Sequence, residues 1–376
     1  MSNRHIFFTL SIIFSIISLS MAQTQLGADI DGEAADDNSG WSVSINSAGD
    51  RMAIGAQEND GNGSNSGHVR VYEYANSSWT QLGSDIDGEV TYDLSGNSVS
   101  ISSDGSRVAV GAYGNDGTGS NAGHVRVYDY VNGSWTQMGE DINGEAAGDY
   151  SGYSVSMNSA GNRVAIGAYD NDGNGSNAGH ARVYEYANDS WTQLGADIDG
   201  EAENDNLGNS VSISSDGSRV AIGAHGNDDN GSNSGHVRVY EYANGSWTKV
   251  GENIDGEMVS DHSGWSVSMN SAGDRVAIGA KKNDGNGSNA GHVRVYDVPT
   301  PFKPQTKAEL QTAVDLWVSD NASALSTYGE INTWDVSLIT DMSQLFKNQT
   351  TFNDDISTWD VSNVTNMYEL FNNAHS

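Results

Sequence analysis

The sequence predicts a mainly β fold: a five-bladed β-propeller of four-stranded antiparallel blades, closed by the N-terminal strand and followed by a short α+β segment. Three observations predict it: a long internal repeat, four strand-like runs inside each repeat, and complementary ends of the repeated region. The repeat is 56 residues long and runs five times, marked by Gly67-His68, Gly123-His124, Gly179-His180, Gly235-His236 and Gly291-His292.

Each repeat contains four short runs that are typical of β-strands. In the first repeat, residues 42–45 alternate polar and apolar side chains, which is the period of a half-buried strand. Residues 51–56, 68–74 and 79–82 form the other runs, and an Asn-Gly pair such as Asn132-Gly133 separates the last two in later repeats. Asn-Gly favours a tight hairpin because both residues accept positive φ angles. Four such strands without a helix predict one propeller blade.

The two ends of the repeated region complement each other. Residues 24–30 have the sequence of a fourth strand with no strand before it, whereas the fifth repeat stops near residue 298, after its third strand. We therefore expect the N-terminal strand to complete the fifth blade, which leaves no exposed edge in the ring. An open β-solenoid is the alternative, and it does not require this offset.

The first 22 residues predict a signal peptide. Arg4 precedes an apolar run over residues 6–19, and Ser20 and Ala22 supply the small residues of a cleavage site before Gln23. The run is short for a membrane anchor, and no later segment is apolar enough to span a bilayer. The chain has no cysteine. Export without disulfides suits a secreted or cell-surface protein, and we expect a bacterial one.

The acidic composition limits the partners. The formal net charge is −33. A charge of this sign argues against nucleic acid and against anionic membrane surfaces, because phosphate groups would be repelled. It suits solubility or the binding of cations.

The chain divides into four parts. The signal peptide (1–22) and the repeated region (23–298) precede a proline-rich linker (299–305) and a C-terminal segment (306–376). In that segment Thr306 and Glu309 form a predicted capping box before an apolar helical face of Leu310, Ala313, Val314 and Trp317. A second repeat follows, because Trp334-Asp335-Val336-Ser337 recurs 25 residues later as Trp359-Asp360-Val361-Ser362.

Two resemblances rest on these motifs. Residues 40–44, 51–56 and 67–72 resemble the FG-GAP repeat of integrin-α-like propellers, and the likeness covers 23–298. The Trp-Asp-Val-Ser segment is similar to BspA-like leucine-rich repeat surface proteins over 306–376. The first family implies an extracellular propeller used in adhesion or ligand binding, and the second implies a surface-exposed solenoid. The calcium loop of FG-GAP repeats is not carried over, because residues 46–50 hold a tight turn in its place.

Two other loop motifs are candidate Ca2+ sites. Oxygen ligands on alternate residues, with glycine at the sharp turn, suit a hard cation. The alternative is that Asn and Asp form turns by bonding to their own backbone. The first motif supplies Asp60, Asn62, Asp116, Asp172, Asn174, Asp228, Asn230, Asp284 and Asn286, and the second supplies Asp29, Asp31 and Glu33. For the five repeated histidines we favour a structural hydrogen bond over metal binding.

Positions that vary among otherwise constant repeats are candidate ligand contacts. They lie after the second strand and before the first, close to the long acidic loops. In an up-and-down blade these loops project to one face. The candidates are Trp41, Tyr113, Tyr153, Tyr169, His225, Trp265, Lys281 and Lys282. We expect them to contact an extracellular protein or glycan, with sequence drift as the alternative.

The sequence carries no motif for catalysis. It has no thiol, no nucleophile elbow and no His-Glu-x-x-His pattern. The first hypothesis is therefore a secreted or cell-surface binding or adhesion protein. A glycan-active lyase or hydrolase on a propeller scaffold is the second hypothesis, and a deep central pocket with converging His, Tyr and Arg would favour it. A structural spacer or matrix protein is the third. The oligomeric state is open.

Overall fold

The computed structural model describes residues 23–374, so the predicted signal peptide lies outside the described residues. Within this range each 56-residue repeat forms one antiparallel sheet. The first four sheets have five strands each and the fifth has three. The chain is thus mainly β, with repeated sheets that resemble propeller blades and a short helical C-terminal segment.

The strands follow the repeat closely. The first repeat forms β1 (Ser42–Ile45), β2 (Arg51–Ala56), β3 (His68–Ala75), β4 (Ser78–Gln81) and β5 (Ile86–Asp87). The second forms β6 (Ser98–Ile101), β7 (Arg107–Ala112), β8 (His124–Val131), β9 (Ser134–Gln137) and β10 (Ile142–Asn143). The third forms β11 (Ser154–Met157), β12 (Arg163–Ala168), β13 (His180–Ala187), β14 (Ser190–Gln193) and β15 (Ile198–Asp199). The fourth forms β16 (Leu207–Ile213), β17 (Arg219–Ala224), β18 (His236–Ala243), β19 (Ser246–Lys249) and β20 (Ile254–Asp255), and the fifth forms β21 (Ser263–Met269), β22 (Arg275–Ala280) and β23 (His292–Asp297).

The outer edge of each blade differs from the prediction. Strand β3 pairs with β4 along its C-terminal half, from Tyr72 to Ala75. Its N-terminal residues His68 and Val69 pair with the additional strand β5 instead. Strands β4 and β5 both run antiparallel to β3 and are separated by residues 82–85, which include Gly83 with a φ of 77° that suits glycine. Two short strands therefore share the edge on which the sequence predicts one.

Adjacent sheets pack face to face through small aliphatic side chains. Val69, Val71 and Ile86 of the first repeat form one core with Val99 and Ile101 of the second, and the same core recurs between later repeats. The tight turns also join in a backbone series. In this series Ser47 N–H donates to Ser103 O over 3.1 Å, and Ser103 N–H donates to Ser159 O over 3.0 Å. The repeat is therefore stabilised mainly by contacts to its two neighbours.

The predicted closure of the ring is not confirmed. The N-terminal segment contacts the first sheet, where Trp79 Nε1 donates to Leu26 O over 2.9 Å and Arg70 donates to Asp31 O. The same contact recurs one repeat later, where Trp135 Nε1 donates to Leu82 O. Residues 26–33 thus contact the first repeat in the way that residues 82–89 contact the second. The fifth sheet has three strands, and residues 24–30 do not pair with it.

The C-terminal segment is helical and then solenoid-like. It contains α1 (Lys307–Ser319), α2 (Asn321–Tyr328) and a 3-10 turn (Ile331–Thr333). The predicted cap is confirmed, because Thr306 Oγ1 accepts from Glu309 N–H and the predicted apolar face is buried. The 25-residue units lie on each other, with Phe346 N–H donating to Leu370 O. No helix in the described range is both long enough and apolar enough to cross a membrane.

Candidate functional site

Four tyrosines from the loops of neighbouring repeats meet in one cluster. Tyr113 and Tyr169 directly follow β7 and β12, and Tyr150 and Tyr153 lie in the loop between those repeats. The ring centres of Tyr153 and Tyr169 are 4.4 Å apart, and those of Tyr113 and Tyr153 are 5.6 Å apart. Tyr150 lies 5.7 Å from Tyr113 and 5.6 Å from Tyr169. We call these four residues, all half-buried, the tyrosine cluster.

A local turn brings the two loop tyrosines together. Tyr150 has a φ of 55°, and Tyr153 N–H donates to Tyr150 O over 3.1 Å. Of the four rings, the sequence identified Tyr113, Tyr153 and Tyr169 but missed Tyr150. A signal was present, because the position of Tyr150 also varies among the repeats, as Asn38, Leu94, Asn206 and His262.

The cluster offers neutral phenols beside one carboxylate. Burial raises the pKa of Tyr113, Tyr153 and Tyr169, and the carboxylate of Asp170 adds to the rise for the last two. The phenols therefore stay protonated at neutral pH and both donate and accept hydrogen bonds. Asp170 Oδ1 accepts from Asn206 Nδ2 over 3.0 Å at the edge of the cluster. The surface combines ring faces with a few directed polar groups, as ligand sites do.

A second group of variable residues lies between the fourth and fifth repeats. The ring of His225 lies 5.5 Å from that of His262 and 4.9 Å from that of Trp265. The ammonium of Lys281 lies over the Trp265 ring, which is a cation–π contact. Lys282 is exposed beside it. His225, Trp265 and Lys281 are thus brought together as predicted contacts, with His262 added.

The remaining predicted contact, Trp41, bonds to the residue at the same position of the next repeat. Its indole is 58% exposed, and Nε1 donates to Asn97 Oδ1 over 3.0 Å. Asn97 Nδ2 in turn donates to Tyr153 O, and Asn209 Nδ2 donates to Trp265 O in the later repeats. At three of the four junctions the variable position before the first strand therefore bonds to its equivalent in the next repeat.

His225 makes stability depend on pH. Burial, together with the positive charges of His262, Lys281 and Lys282, lowers the pKa of His225 to about 4. The unfolded chain binds a proton below about pH 6.5 while the folded chain does not, so acid destabilises the fold between those values. From pH 7 to pH 5 we expect the wild type to lose about 2 kcal/mol more than His225→Gln in chemical denaturation. Equal losses in the two proteins would contradict this assignment.

The side chains of the first predicted calcium motif bond to backbone groups inside and outside the motif. Asp60 Oδ1 accepts from Asn65 N–H over 2.8 Å, and Asn62 Nδ2 donates to Gly88 O. The aspartate bond recurs at Asp116, Asp172, Asp228 and Asp284, and the asparagine bond recurs at Asn174 and Asn230. Asn286 lies in the corresponding loop of the fifth repeat. The turn-forming alternative accounts for the aspartate bonds, whereas the asparagine bonds join the motif to a loop 26 residues further along the chain. Calcium binding stays a prediction.

The second motif contributes only Glu33 to a cluster of ligand groups. Asp29 accepts from Gln25 and lies apart, and Asp31 contributes its backbone carbonyl to Arg70. Glu33 lies near His68 and Asp85, with one potential ligand atom of each within 4.8 Å of the others. Similar sets are Glu89, His124 and Asp141; Glu145, His180 and Asp197; and Glu201, Asp229 and His236.

These His–carboxylate sets have the composition of a divalent-cation site. Within residues 23–374 Nδ1 of His124 and both ring nitrogens of His236 are buried without a hydrogen-bond partner, so the predicted structural hydrogen bond does not form at these atoms. Burial and the charge of Arg182 lower the pKa of His180 to about 4, which leaves a neutral imidazole at pH 7. A neutral imidazole and two carboxylates are ligands that transition metals accept. The sequence signal was the constant Gly-His pair.

Two protein families match parts of the chain. The FG-GAP repeat family matches residues 25–72 and 196–240. The family described as "Mycoplasma protein of unknown function, DUF285" matches residues 317–376. No curated protein matches the sequence significantly.

Several solved structures are distantly similar. Hydrazine synthase of Kuenenia stuttgartiensis is 14% identical with a TM-score of 0.44, and the match covers 72% of this chain and 66% of that chain, just under two thirds. A candidate 6-phosphogluconolactonase of Bacteroides uniformis is 13% identical, with a TM-score of 0.44 and coverages of 70% and 72%. A candidate TolB of Agrobacterium tumefaciens is 12% identical, with a TM-score of 0.41 and coverages of 68% and 76%. The chain thus carries FG-GAP repeats followed by a DUF285 (BspA-like) segment, the arrangement that its sequence motifs predicted.

Proposed function

We propose that the chain is a secreted or cell-surface binding protein that recognises a glycan or a protein through the tyrosine cluster on its loop face. The FG-GAP repeats and the DUF285 segment indicate a surface-associated repeat protein. The observation that carries the proposal is the meeting of Tyr113, Tyr150, Tyr153 and Tyr169 from two repeats.

The chemistry of the cluster favours a glycan. Half-exposed ring faces pack against the apolar C–H face of a sugar, and neutral phenols bond to its hydroxyl groups. Asp170 and Asn206 add a carboxylate and an amide at the edge. A rigid sheet end holds Tyr113 and Tyr169 directly after their strands, so little conformational entropy is lost on binding.

A binding screen with two tyrosine variants tests the proposal. The mature chain is screened against glycan and extracellular-protein arrays, and each hit is quantified by calorimetry. We expect Tyr153→Ala and Tyr169→Ala to weaken binding at least tenfold, because each removes a large contact surface. Tyr368→Ala is the matched control, since Tyr368 is exposed in the C-terminal segment. A ligand that binds both cluster variants like the wild type would contradict the proposal. Shortened glycan products would favour the enzyme alternative, and the absence of any hit would favour the spacer.

Binding of Ca2+ by the acidic loops is a separate prediction of the proposed function. If the acidic loops bind Ca2+, the folded state gains free energy that increases with the calcium concentration. We expect the thermal midpoint of the mature chain to rise in calcium and to fall when a chelator is added. Zinc is measured in parallel, because the His–carboxylate sets contain an imidazole that favours zinc over calcium. A midpoint that calcium leaves unchanged would remove the calcium hypothesis.

A further inference from the structure

The two ends of the stacked sheets leave apolar faces uncovered. On the first sheet Val43 and Ile45 are 62% and 57% exposed. On the fifth sheet Val293 and Val295 are 68% and 66% exposed. We call the first pair the head face and the second pair the tail face. β-branched and aliphatic side chains exposed in rows on a sheet mark an interaction surface.

Inside the chain, the equivalents of these residues cover one another. Val99 and Ile101 are the equivalents of the head face one repeat later, and they are 9% and 7% exposed because they pack on the first sheet. Val125 and Val127 are equivalents of the tail face, and they are at most 1% exposed because the third sheet covers them. Four internal junctions therefore show how a tail face receives a head face.

The backbone complements this match. Strand β3 pairs with β5 so that Val69 lies opposite Ile86 and His68 lies opposite Asp87. In the fifth repeat β23 offers Val293 and His292 at the equivalent positions, but its sheet ends at three strands. The equivalents of Ile86 and Asp87 are Ile30 and Asp31, in the segment that lies on the first sheet. Ile30 is only half-buried, whereas Ile86 is 4% exposed.

We propose that a second copy of this chain docks head-to-tail on the first. The N-terminal segment of the second copy completes the fifth sheet of the first copy, and its head face covers the tail face of the first copy. The pairing places Ile30 of one copy opposite Val293 of the other, in the register of the internal junctions. This inference goes beyond the proposed binding function and rests on independent residues.

The symmetry of the contact determines which kind of assembly the copies form. Head and tail are different surfaces, so each docked copy presents a new free tail and a new free head. Such a heterologous contact forms rows of copies or larger rings. The net charge of −33 opposes the approach of two copies, so salt favours association by screening.

Complementary variants test the contact. Sedimentation velocity and light scattering of the mature chain are measured over a range of concentrations at high salt. The wild type is expected to form species larger than one copy. Ile45→Asp, which blocks the head, and Val295→Asp, which blocks the tail, are each expected to stay monomeric. Mixed together, they recombine through their intact faces into a species of two copies and no larger.

Controls separate this result from misfolding. Val131→Asp changes an exposed valine at the end of β8, outside both faces, and is expected to associate like the wild type. Circular dichroism and thermal midpoints verify that each variant is folded. Val293→Thr retains a β-branched side chain and is expected to raise the apparent dissociation constant more than tenfold. A wild type that stays monomeric at every concentration, as a ring closed within one chain would, overturns the proposal. Failure of the two folded Asp variants to recombine also overturns it.

Discussion

Replacing Gly167 by alanine is expected to destabilise the repeat array by about 3 kcal/mol or more. A Cβ atom at this position would lie 1.9 Å from Gly208 O in the next repeat and 2.5 Å from Ser154 Oγ. Ser154 Oγ donates to the same Gly208 O over 2.8 Å, so the hydroxyl cannot rotate away without losing that bond. Relief therefore requires the two sheets to separate at a junction where backbone contacts backbone.

Gly279→Ala supplies the matched control. Gly279 is the equivalent residue of the fifth repeat, and a Cβ there would meet only Ser266, with Oγ at 2.4 Å. Because no further sheet in the described range covers this strand, Ser266 is free to turn aside. We expect a loss of about 1 kcal/mol or less in chemical denaturation followed by tryptophan fluorescence. Equal losses for the two variants would contradict the stacking of repeats described here.

Replacing Phe346 by alanine is expected to cost the C-terminal segment about 3–5 kcal/mol. The side chain is fully buried, and its ring lies 4.2 Å from Phe352 and 5.9 Å from Trp359, centre to centre. Its removal leaves a cavity in the core that joins α1 to the 25-residue units. Differential scanning calorimetry is expected to show the transition of this segment shifted or lost.

Phe371→Ala is the matched control, because it removes an aromatic ring without leaving a buried cavity. Phe371 stacks on Phe346 with 5.2 Å between ring centres, but it is 48% exposed. We expect its removal to cost about 1 kcal/mol, because solvent fills the space it leaves. A larger cost for Phe371→Ala than for Phe346→Ala would place the core of the segment elsewhere.

Local sequence signals predicted the blade strands well. Alternation identified β1, and the positive φ angles of Asn132 and Gly133 confirm the predicted hairpin turn. Strand β5 was not predictable in this way. It has two residues, Ile86 and Asp87, inside an acidic loop, and it exists because the edge of β3 offers unpaired backbone groups. This strand depends on a tertiary contact with β3 and leaves no periodic pattern in the sequence.

The sequence predicted that the two ends of the array are complementary. It could not predict whether they pair within one chain. Every repeat uses one register, so residues 24–31 fit the fifth sheet of their own chain and that of another copy equally well. The tyrosine cluster has a similar limit. Sequence variation indicated Tyr113, Tyr153 and Tyr169, whereas the contact with Tyr150 depends on a left-handed backbone conformation that is unusual for an aromatic residue.

The distance between the first and fifth repeats tests the open, stacked array most directly. The chain has no cysteine, so spin labels can be attached at Ala48→Cys together with Asp104→Cys or Ala272→Cys, which are equivalent exposed turn positions. Each labelled protein is diluted with unlabelled wild type so that pulsed electron resonance reports distances within one chain. We predict a short distance between positions 48 and 104 and a clearly longer one between 48 and 272. Equal distances would show that the first and fifth repeats are neighbours in a closed ring, and would contradict the free head and tail faces.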